Sequence, residues 1–270
     1  MRIIVLVDFS LYTECLIKVA TNWADLLDAV LVLVHEVPRM VPAMADDDTR
    51  YNIIDYEKEE AISMLKTLAE RNIPEHISTK YEVTDRRLTY FLPHLMSDKE
   101  QTVIMLGLKG TGLLKKVFIG SVATQIISKL NKITVGVPLK ANKATPENLI
   151  VPANPDYPIN DEKLDQLVNF LCPTLKSIDF ISIDRSEDKN LSTNYLKELS
   201  NKYNGRIPTS YKVFKSQQVF EEFKSYTTTK EHSFLVLQKG GDSFKDMVLK
   251  RFFINRIVHD GTIPLIVLPE

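Results

Sequence analysis

The chain has few cysteines and glycines, and it lacks long apolar runs and an excess of charge of one sign. Its 270 residues include two cysteines, Cys15 and Cys172, whose separation argues against a disulfide framework or a zinc site. A formal net charge of −1 gives no reason to expect a nucleic-acid partner. No segment approaches the ~20 apolar residues that cross a bilayer, and Asp8 interrupts the apolar start of the chain too early for a signal peptide. We therefore expect a soluble, cytoplasmic protein without a nucleic-acid or membrane partner.

Apolar residues make up 44% of the chain and charged residues 26%, which suits a globular protein with a sizeable core. Up to residue 138, short apolar runs alternate with helical patterns. The predicted strands cover 3–7, 29–37, 76–83, 102–107 and 133–138, and the predicted helices cover 10–27, 45–71, 85–96 and 121–130. This alternation is typical of a parallel α/β sheet with helices on both faces.

A polar stretch, residues 139–147, separates this part from a second one with the same order of elements. There the predicted strands cover 148–155, 177–183, 207–214, 234–238 and 264–269, and the predicted helices cover 161–171, 192–203, 218–226 and 247–258. The two parts also end alike, FIGSVATQII…KITVGVP against FINRIVHDGTIPLIVLP. The sequence therefore predicts an internal duplication with α/β domains at 1–140 and 146–270.

Four of the nine glycines lie in one segment, GLKGTGLLKKVFIGS, residues 107–121. A Walker-type loop needs a lysine directly after its second glycine, but Leu113 follows Gly112. A Gly-x-Gly-x-x-Gly dinucleotide motif starting at Gly110 would place its third glycine where Lys115 stands. Both motifs are therefore absent from this segment.

The remaining pattern, Gly107-x2-Gly110-x9-Gly120-Ser121, runs from a strand end to a helix start and suits a phosphate group. Glycines let the backbone approach a ligand closely. The free N–H groups and the dipole of a helix N-terminus favour an anion. Lysines 109, 115 and 116 add positive charge nearby. On spacing alone, an ordinary strand-to-helix loop with a capping serine remains an alternative.

This glycine pattern after a buried strand resembles the nucleotide-binding motif of the universal stress protein family. Three further stretches are similar to the family: IIVLVDFS at the first strand, VLVLVHEV at the second, and IGSVATQIISKLNKITVGVP at the last helix and strand. The similarity covers residues 1–138 well and residues 148–269 more weakly. The chain thus resembles a tandem, two-copy member with a degenerate second repeat.

The resemblance implies two tandem doubly wound parallel-sheet domains of Rossmann-like, HUP (adenine nucleotide α hydrolase-like) type. It also implies that the N-terminal domain binds ATP, or ADP or AMP, with Mg²⁺ held mainly through the phosphates. Asp8 would contact the adenine, and the backbone at Glu36 would contact the same side of the base. The implied nucleotide-binding residues are Asp8, Glu36, Gly107, Lys109, Gly110, Gly120, Ser121 and Val122.

The second repeat lacks the matching residues. Asn154 stands at the place of Asp8, and the strand that should end in glycine ends in Gln238. Asn255 and Arg256 stand where the pattern requires Gly120 and Ser121. We therefore expect this repeat to have lost its nucleotide site, with binding of another anion as a lower-ranked alternative.

The sequence shows no nucleophile, base and orienting group in a catalytic pattern, and no metal-ligand spacing. We predict no catalytic or metal-ligating residue and at most a weak ATPase. The resemblance implies that the last strands of the two repeats pair antiparallel in a pseudo-dimer, that the chain can form a homodimer, and that it acts in stress response or regulation with a protein partner. A nucleotide-free interaction scaffold and a slow ATPase stay open as alternatives.

Overall fold

The computed structural model describes residues 1–38, 44, 46–96, 100–108, 121–141, 144–156, 158–183, 189–214, 222–223, 225–226, 230, 232–239 and 263–270. The helix predicted over 247–258, and all but four residues of the one predicted over 218–226, lie outside these ranges.

Strands and helices alternate as the hydrophobic pattern predicts. The strands are β1 Arg2–Leu6, β2 Val30–Glu36, β3 Thr79–Thr84, β4 Thr102–Leu108, β5 Ile133–Pro138, β6 Asn148–Pro152, β7 Ser177–Ile183, β8 Thr209–Phe214, β9 Ser233–Gln238 and β10 Leu265–Leu268. The helices are α1 Thr13–Leu27, α2 Asp47–Asn72, α3 Leu88–Leu95, α4 Ser121–Lys129, α5 Asp161–Leu171 and α6 Lys189–Asn204.

In the described part of the chain the strands form a single ten-stranded sheet in the order β3-β2-β1-β4-β5-β10-β9-β6-β7-β8. The N-terminal half (β1–β5) and the C-terminal half (β6–β10) therefore have the same strand order, arranged in opposite senses. All neighbouring strands within each half are parallel. This confirms the predicted fold class of two doubly wound α/β units.

The two halves meet at β5 and β10, which pair antiparallel with Ile266 opposite Val135. This confirms the predicted pairing of the last strands. The sole tryptophan of the chain, Trp23, reinforces the junction from α1. Its side chain is fully buried, its Nε1–H donates to the Ala144 carbonyl (3.0 Å), and its ring lies 6.3 Å from that of Phe234 in β9.

The sheet is buried on both faces, which explains why its central strands are continuous apolar runs and do not alternate. On one face α1, α2, α5 and α6 contribute to a core cluster shared by both halves. On the other face α3 and α4 contribute to a second cluster, which also contains side chains from both halves. Burying each Leu, Ile or Val side chain contributes about 1.5–3 kcal/mol, so these two layers supply most of the folding free energy.

Five predicted element boundaries were wrong by three residues: the starts of α1, β3, α3 and α6 and the end of β6. For α1 and β3 the cause is a turn that precedes the element. Helix α1 begins at Thr13 and not at Ser10, because the Ser10 carbonyl accepts the Thr13 N–H (3.0 Å) in a turn. Strand β3 begins at Thr79 and not at His76, because the Ile77 N–H donates to the Pro74 carbonyl (3.0 Å).

Candidate functional site

Most of the site residues predicted from the sequence lie at one edge of the sheet, where the parallel strands of the N-terminal half end. From β1 the chain moves to β2 and β3 on one side, and then returns to β4 and β5 on the other. The strand order therefore reverses between β1 and β4, and ligands of open α/β sheets bind outside the carboxyl ends of the strands at such a switch point. Asp8 follows β1 and Gly107 lies near the end of β4, so these two residues flank the first switch point.

The turn between β1 and α1 is held by its own polar groups. The Asp8 Oδ1 atom accepts the Ser10 N–H (3.1 Å), and the Ser10 hydroxyl oxygen accepts the Tyr12 N–H (3.4 Å). Between them, Phe9 has φ of 52°, a left-handed conformation that costs a non-glycine residue on the order of 1–3 kcal/mol. Ser10 therefore stabilises the turn and does not cap the helix, whose N-cap is Tyr12.

His35 belongs to this edge of the sheet and is absent from the predicted set of site residues. Its Nδ1 lies 2.8 Å from the Val7 carbonyl, and because a carbonyl only accepts, Nδ1 carries the proton in this contact. The His35 ring also lies 4.6 Å from the Phe9 ring. The histidine thus joins the end of β2 to the turn after β1, and a histidine closing an apolar strand was the sequence signal for it.

The carboxylate of Glu36, the last residue of β2, forms a hydrogen bond with the start of helix α3. Its Oε2 atom accepts the N–H of Leu88 (2.9 Å), and Leu88 is the first residue of α3. The N-cap residue of that helix, Arg87, makes no side-chain capping bond, so Glu36 supplies the acceptor that this helix end requires. A backbone contact from Glu36 to a ligand is compatible with this use of its side chain.

Gly107 allows α1 to approach the sheet closely. A Cβ atom at this position would lie 3.1 Å from the Tyr12 Cβ, closer than side chains normally tolerate. The glycine thus keeps the N-terminus of α1 next to the end of β4.

The glycine segment is described only at its two ends. Gly107 lies within β4, and Ser121 begins α4, as predicted. Val122, in the first turn of α4, has an exposed fraction of 51%. The predicted site residues Lys109, Gly110 and Gly120 lie outside the described residues, so their roles stay predictions.

The switch point of the C-terminal half, between β6 and β9, repeats the turn of the first. The Asn154 Oδ1 atom accepts the Asp156 N–H (2.9 Å), as Asp8 does for Ser10. One residue earlier, the Ala153 N–H donates to the Ile181 carbonyl of β7 (2.8 Å). In the first half, the Val7 N–H donates to the Val34 carbonyl of β2 in the same way (2.8 Å). The backbone of the second switch point therefore follows that of the first.

Gln238 distinguishes the second switch point from the first. Extending the pairing of β6 with β9 places Gln238 opposite Ala153, where Gly107 lies opposite Val7 in the N-terminal half. The Oε1 atom of Gln238 accepts the N–H of Asn160 (3.0 Å), which is the N-cap residue of α5. Its Nε2 donates to the carbonyls of Lys239 (3.0 Å) and Pro269 (2.7 Å). The amide thus bridges three backbone groups at the second switch point, a role that Gly107, which has no side chain, does not have in the first.

Among the described residues, no group of three or more His, Cys, Asp or Glu side chains is arranged to hold a metal ion. A cation at this edge would therefore depend on ligand oxygens, such as those of phosphates, for most of its coordination. In the same part of the chain, none of the helices has the length and apolar character required to cross a membrane.

The fold and part of the sequence match known proteins. A structure of a universal stress protein from Archaeoglobus fulgidus DSM 4304 aligns with a TM-score of 0.70 at 12% identity, covering 99% of this chain and 98% of that chain. The cytoplasmic domain of a prokaryotic cation chloride cotransporter aligns with a TM-score of 0.50 at 11% identity, covering 100% and 95%. The universal stress protein UspA from Lactobacillus plantarum covers 50% of this chain and 96% of its own at 20% identity, with a TM-score of 0.41.

At these identities the structural likenesses establish the fold alone. A comparison with curated proteins finds no match. The model of the universal stress protein family, however, matches residues 1–135, half of the 270-residue chain. The chain therefore belongs to the universal stress protein family.

Proposed function

We propose that the N-terminal repeat, residues 1–140, binds ATP, or ADP or AMP, with Mg²⁺ on the phosphates. In this proposal the nucleotide lies at the first switch point, with Asp8 on the adenine and the glycine segment and the start of α4 on the phosphates. The C-terminal repeat, residues 146–270, completes the pseudo-dimer without a nucleotide of its own. The protein would act in the cytoplasm, in stress response or regulation, with occupancy changing its conformation or its choice of partner.

The difference between the two switch points carries this proposal. Both have the same turn, made by Asp8 in one half and Asn154 in the other. Among the described residues, they differ where β9 and β4 end: Gln238 bonds to three backbone groups at the second switch point, whereas the matching residue of the first is Gly107. Gly107 has no side chain of its own, so its backbone can contact a ligand directly.

A titration of the purified full chain with ATP and Mg²⁺ by calorimetry tests the proposal. Asp8→Ala should weaken binding by about 10- to 100-fold, since it removes a charged hydrogen-bond partner of the base. Asn154→Ala is the matched control, because it breaks the equivalent turn in the other half and should bind as the native chain does. Asp8→Asn retains the acceptor of the turn and separates the loss of charge from the loss of the turn.

The remaining outcomes decide between the alternatives. No heat from the native chain with ATP, ADP or AMP would overturn nucleotide binding and favour the interaction scaffold. Native-like binding by Gly120→Arg would show that the phosphates lie elsewhere. Phosphate release over hours that Gly120→Arg abolishes would instead indicate a slow ATPase.

A further inference from the structure

Helix α2 is much longer than the sheet it packs on. It has 26 residues, whereas α6, the helix in the same place in the C-terminal half, has 16. The difference of 10 residues corresponds to about 15 Å of helix. Helix α2 thus has more turns than the described part of its counterpart α6.

The surplus lies at the N-terminal end of α2, beyond the sheet. The Lys58 ammonium bonds to Asp85 (2.8 Å), which directly follows the last residue of β3, so Lys58 lies level with the carboxyl edge of the sheet. The helix residues before it, Asp47–Glu57, project about 16 Å past that edge. We call this segment the overhang. The buried residues of α2 are Ala61, Leu65 and Ala69, all of which lie after it.

One face of the overhang continues the face that packs on the sheet. Tyr51, Ile54, Lys58, Ala61 and Leu65 follow one another at spacings of three, four, three and four residues, which places them on one side of the helix. Ala61 and Leu65 are buried against the sheet, but Tyr51 has an exposed fraction of 70%. Ile54 is half-buried, so the apolar face is covered less completely in the overhang than at Ala61 and Leu65.

The overhang is also strongly acidic. Between Asp47 and Glu57 the sequence has four carboxylates and one basic side chain, although the net charge of the whole chain is only −1. This charge disfavours nucleic acids and anionic membranes as partners. It also disfavours a second copy of the chain, whose overhang would place like charges opposite each other.

We propose that the face formed by Tyr51 and Ile54 docks an amphipathic helix of another protein, one whose apolar stripe is flanked by Lys and Arg. The apolar stripe of the partner would cover Tyr51 and Ile54, as helices packed side by side cover each other's i, i+3 and i+4 positions. Its basic residues would face the carboxylates of the overhang and orient the encounter. The exposed stretch of helix is short, so the complex belongs to the small, transient class of interfaces.

The test measures binding of a synthetic 20-residue helical peptide to the full chain by the fluorescence anisotropy of the labelled peptide. The peptide has leucines at i, i+3, i+4 and i+7 and lysines elsewhere. Two peptides serve as controls, one of the same composition with the leucines dispersed and one with glutamate in place of lysine. The native chain should prefer the basic amphipathic peptide over both by at least about tenfold. Hydrogen exchange should slow within residues 47–60 when that peptide binds.

Two variants locate the binding face. Tyr51→Ser with Ile54→Ser should weaken binding at least about tenfold, because both anchors are lost. Tyr56→Ser is the matched control, since Tyr56 has a similar exposed fraction (67%) but lies on the other side of the same helix. Tyr51 and Tyr56 are exposed and Ile54 is half-buried, so a thermal melt of each variant, read beside the binding data, separates a loss of stability from a loss of binding.

Three results would overturn the proposal. The first is no preference of the native chain for the basic amphipathic peptide. The second is equal binding by the native chain and the Tyr51 and Ile54 variant. The third is a native dimer, seen by light scattering, that this variant dissociates, because the occupant of the face would then be a second copy of the chain.

Discussion

Glu36 combines an observed structural role of its side chain with a proposed ligand contact through its backbone. The sequence comparison assigned it a backbone contact with the nucleotide, and its acidic side chain is unfavourable next to phosphates if it points toward them. In the structure the carboxylate instead accepts the N–H of Leu88 at the start of α3. The side chain thus stabilises a helix end, because its negative charge interacts favourably with the partial positive charge of that end.

This division of roles gives a prediction for Glu36→Ala. The variant should lose about 1 kcal/mol of unfolding free energy, as for the loss of other helix caps, which urea denaturation measures. Its ATP affinity should stay within about threefold of the native value if the contact is through the backbone. Glu36→Gln, which retains an acceptor, should recover most of the stability. A large loss of ATP affinity in Glu36→Ala would show that the carboxylate itself binds the ligand.

At the second switch point, Gln238 stands where the first switch point has Gly107. Replacement of glycine by Gln238 was evident from the sequence, because the strand that should end in glycine does not. The three hydrogen bonds of its amide were not predictable, since they require the N-cap of α5 and the end of the chain to meet at one place. Residue identity can be read locally, whereas the partners of a side chain depend on the whole fold.

Among the elements, the strands were predicted better than the helix starts. Buried β-branched runs identify strands because both faces of this sheet are covered, so apolar content alone marks them. The start of α1 was wrong by three residues because Asp8 and Ser10 form a turn that precedes the helix. His35 was also missed, because its link to Val7 joins two strands that are distant in sequence.

The length of α2 was predictable from its acidic start, but its relation to the sheet was not. Its cap, Asp46, accepts the Thr49 N–H (2.7 Å). The hydrogen bonds with Thr49 hold the pKa of Asp46 below its usual value of 3.8. The overhang therefore begins with a turn whose stability depends on an ionised carboxylate.

Acid should consequently loosen the first turn of α2. Because the pKa of Asp46 is lower in the folded state, its contribution is complete above the unfolded pKa and is lost as the pH falls through the folded pKa. The Thr49 amide should lose hydrogen-exchange protection as the pH falls below about 3.8. Asp46→Asn retains an uncharged cap and should show a smaller dependence on pH. An unchanged pH dependence in Asp46→Asn would exclude Asp46 as its source.

At the scale of the whole molecule, the two halves share their sheet and both core layers. The central antiparallel pair joins β5 to β10, and each core cluster contains side chains from both halves. Trp23 adds a contact between α1 and the C-terminal half through Phe234. A single chain thus has the arrangement of a dimer without the entropic cost of association.

The two halves should therefore unfold together. Trp23, the sole tryptophan, reports on the junction by fluorescence, and far-ultraviolet circular dichroism reports on the whole fold. In a two-state transition both signals change at the same temperature. Ile266→Ala, which removes a fully buried side chain from β10, should cost about 2–5 kcal/mol and lower both midpoints equally. Tyr211→Ala, on the exposed edge strand β8, is the control and should shift them much less. A tryptophan transition that precedes the loss of helix signal would mean that the halves separate before either unfolds.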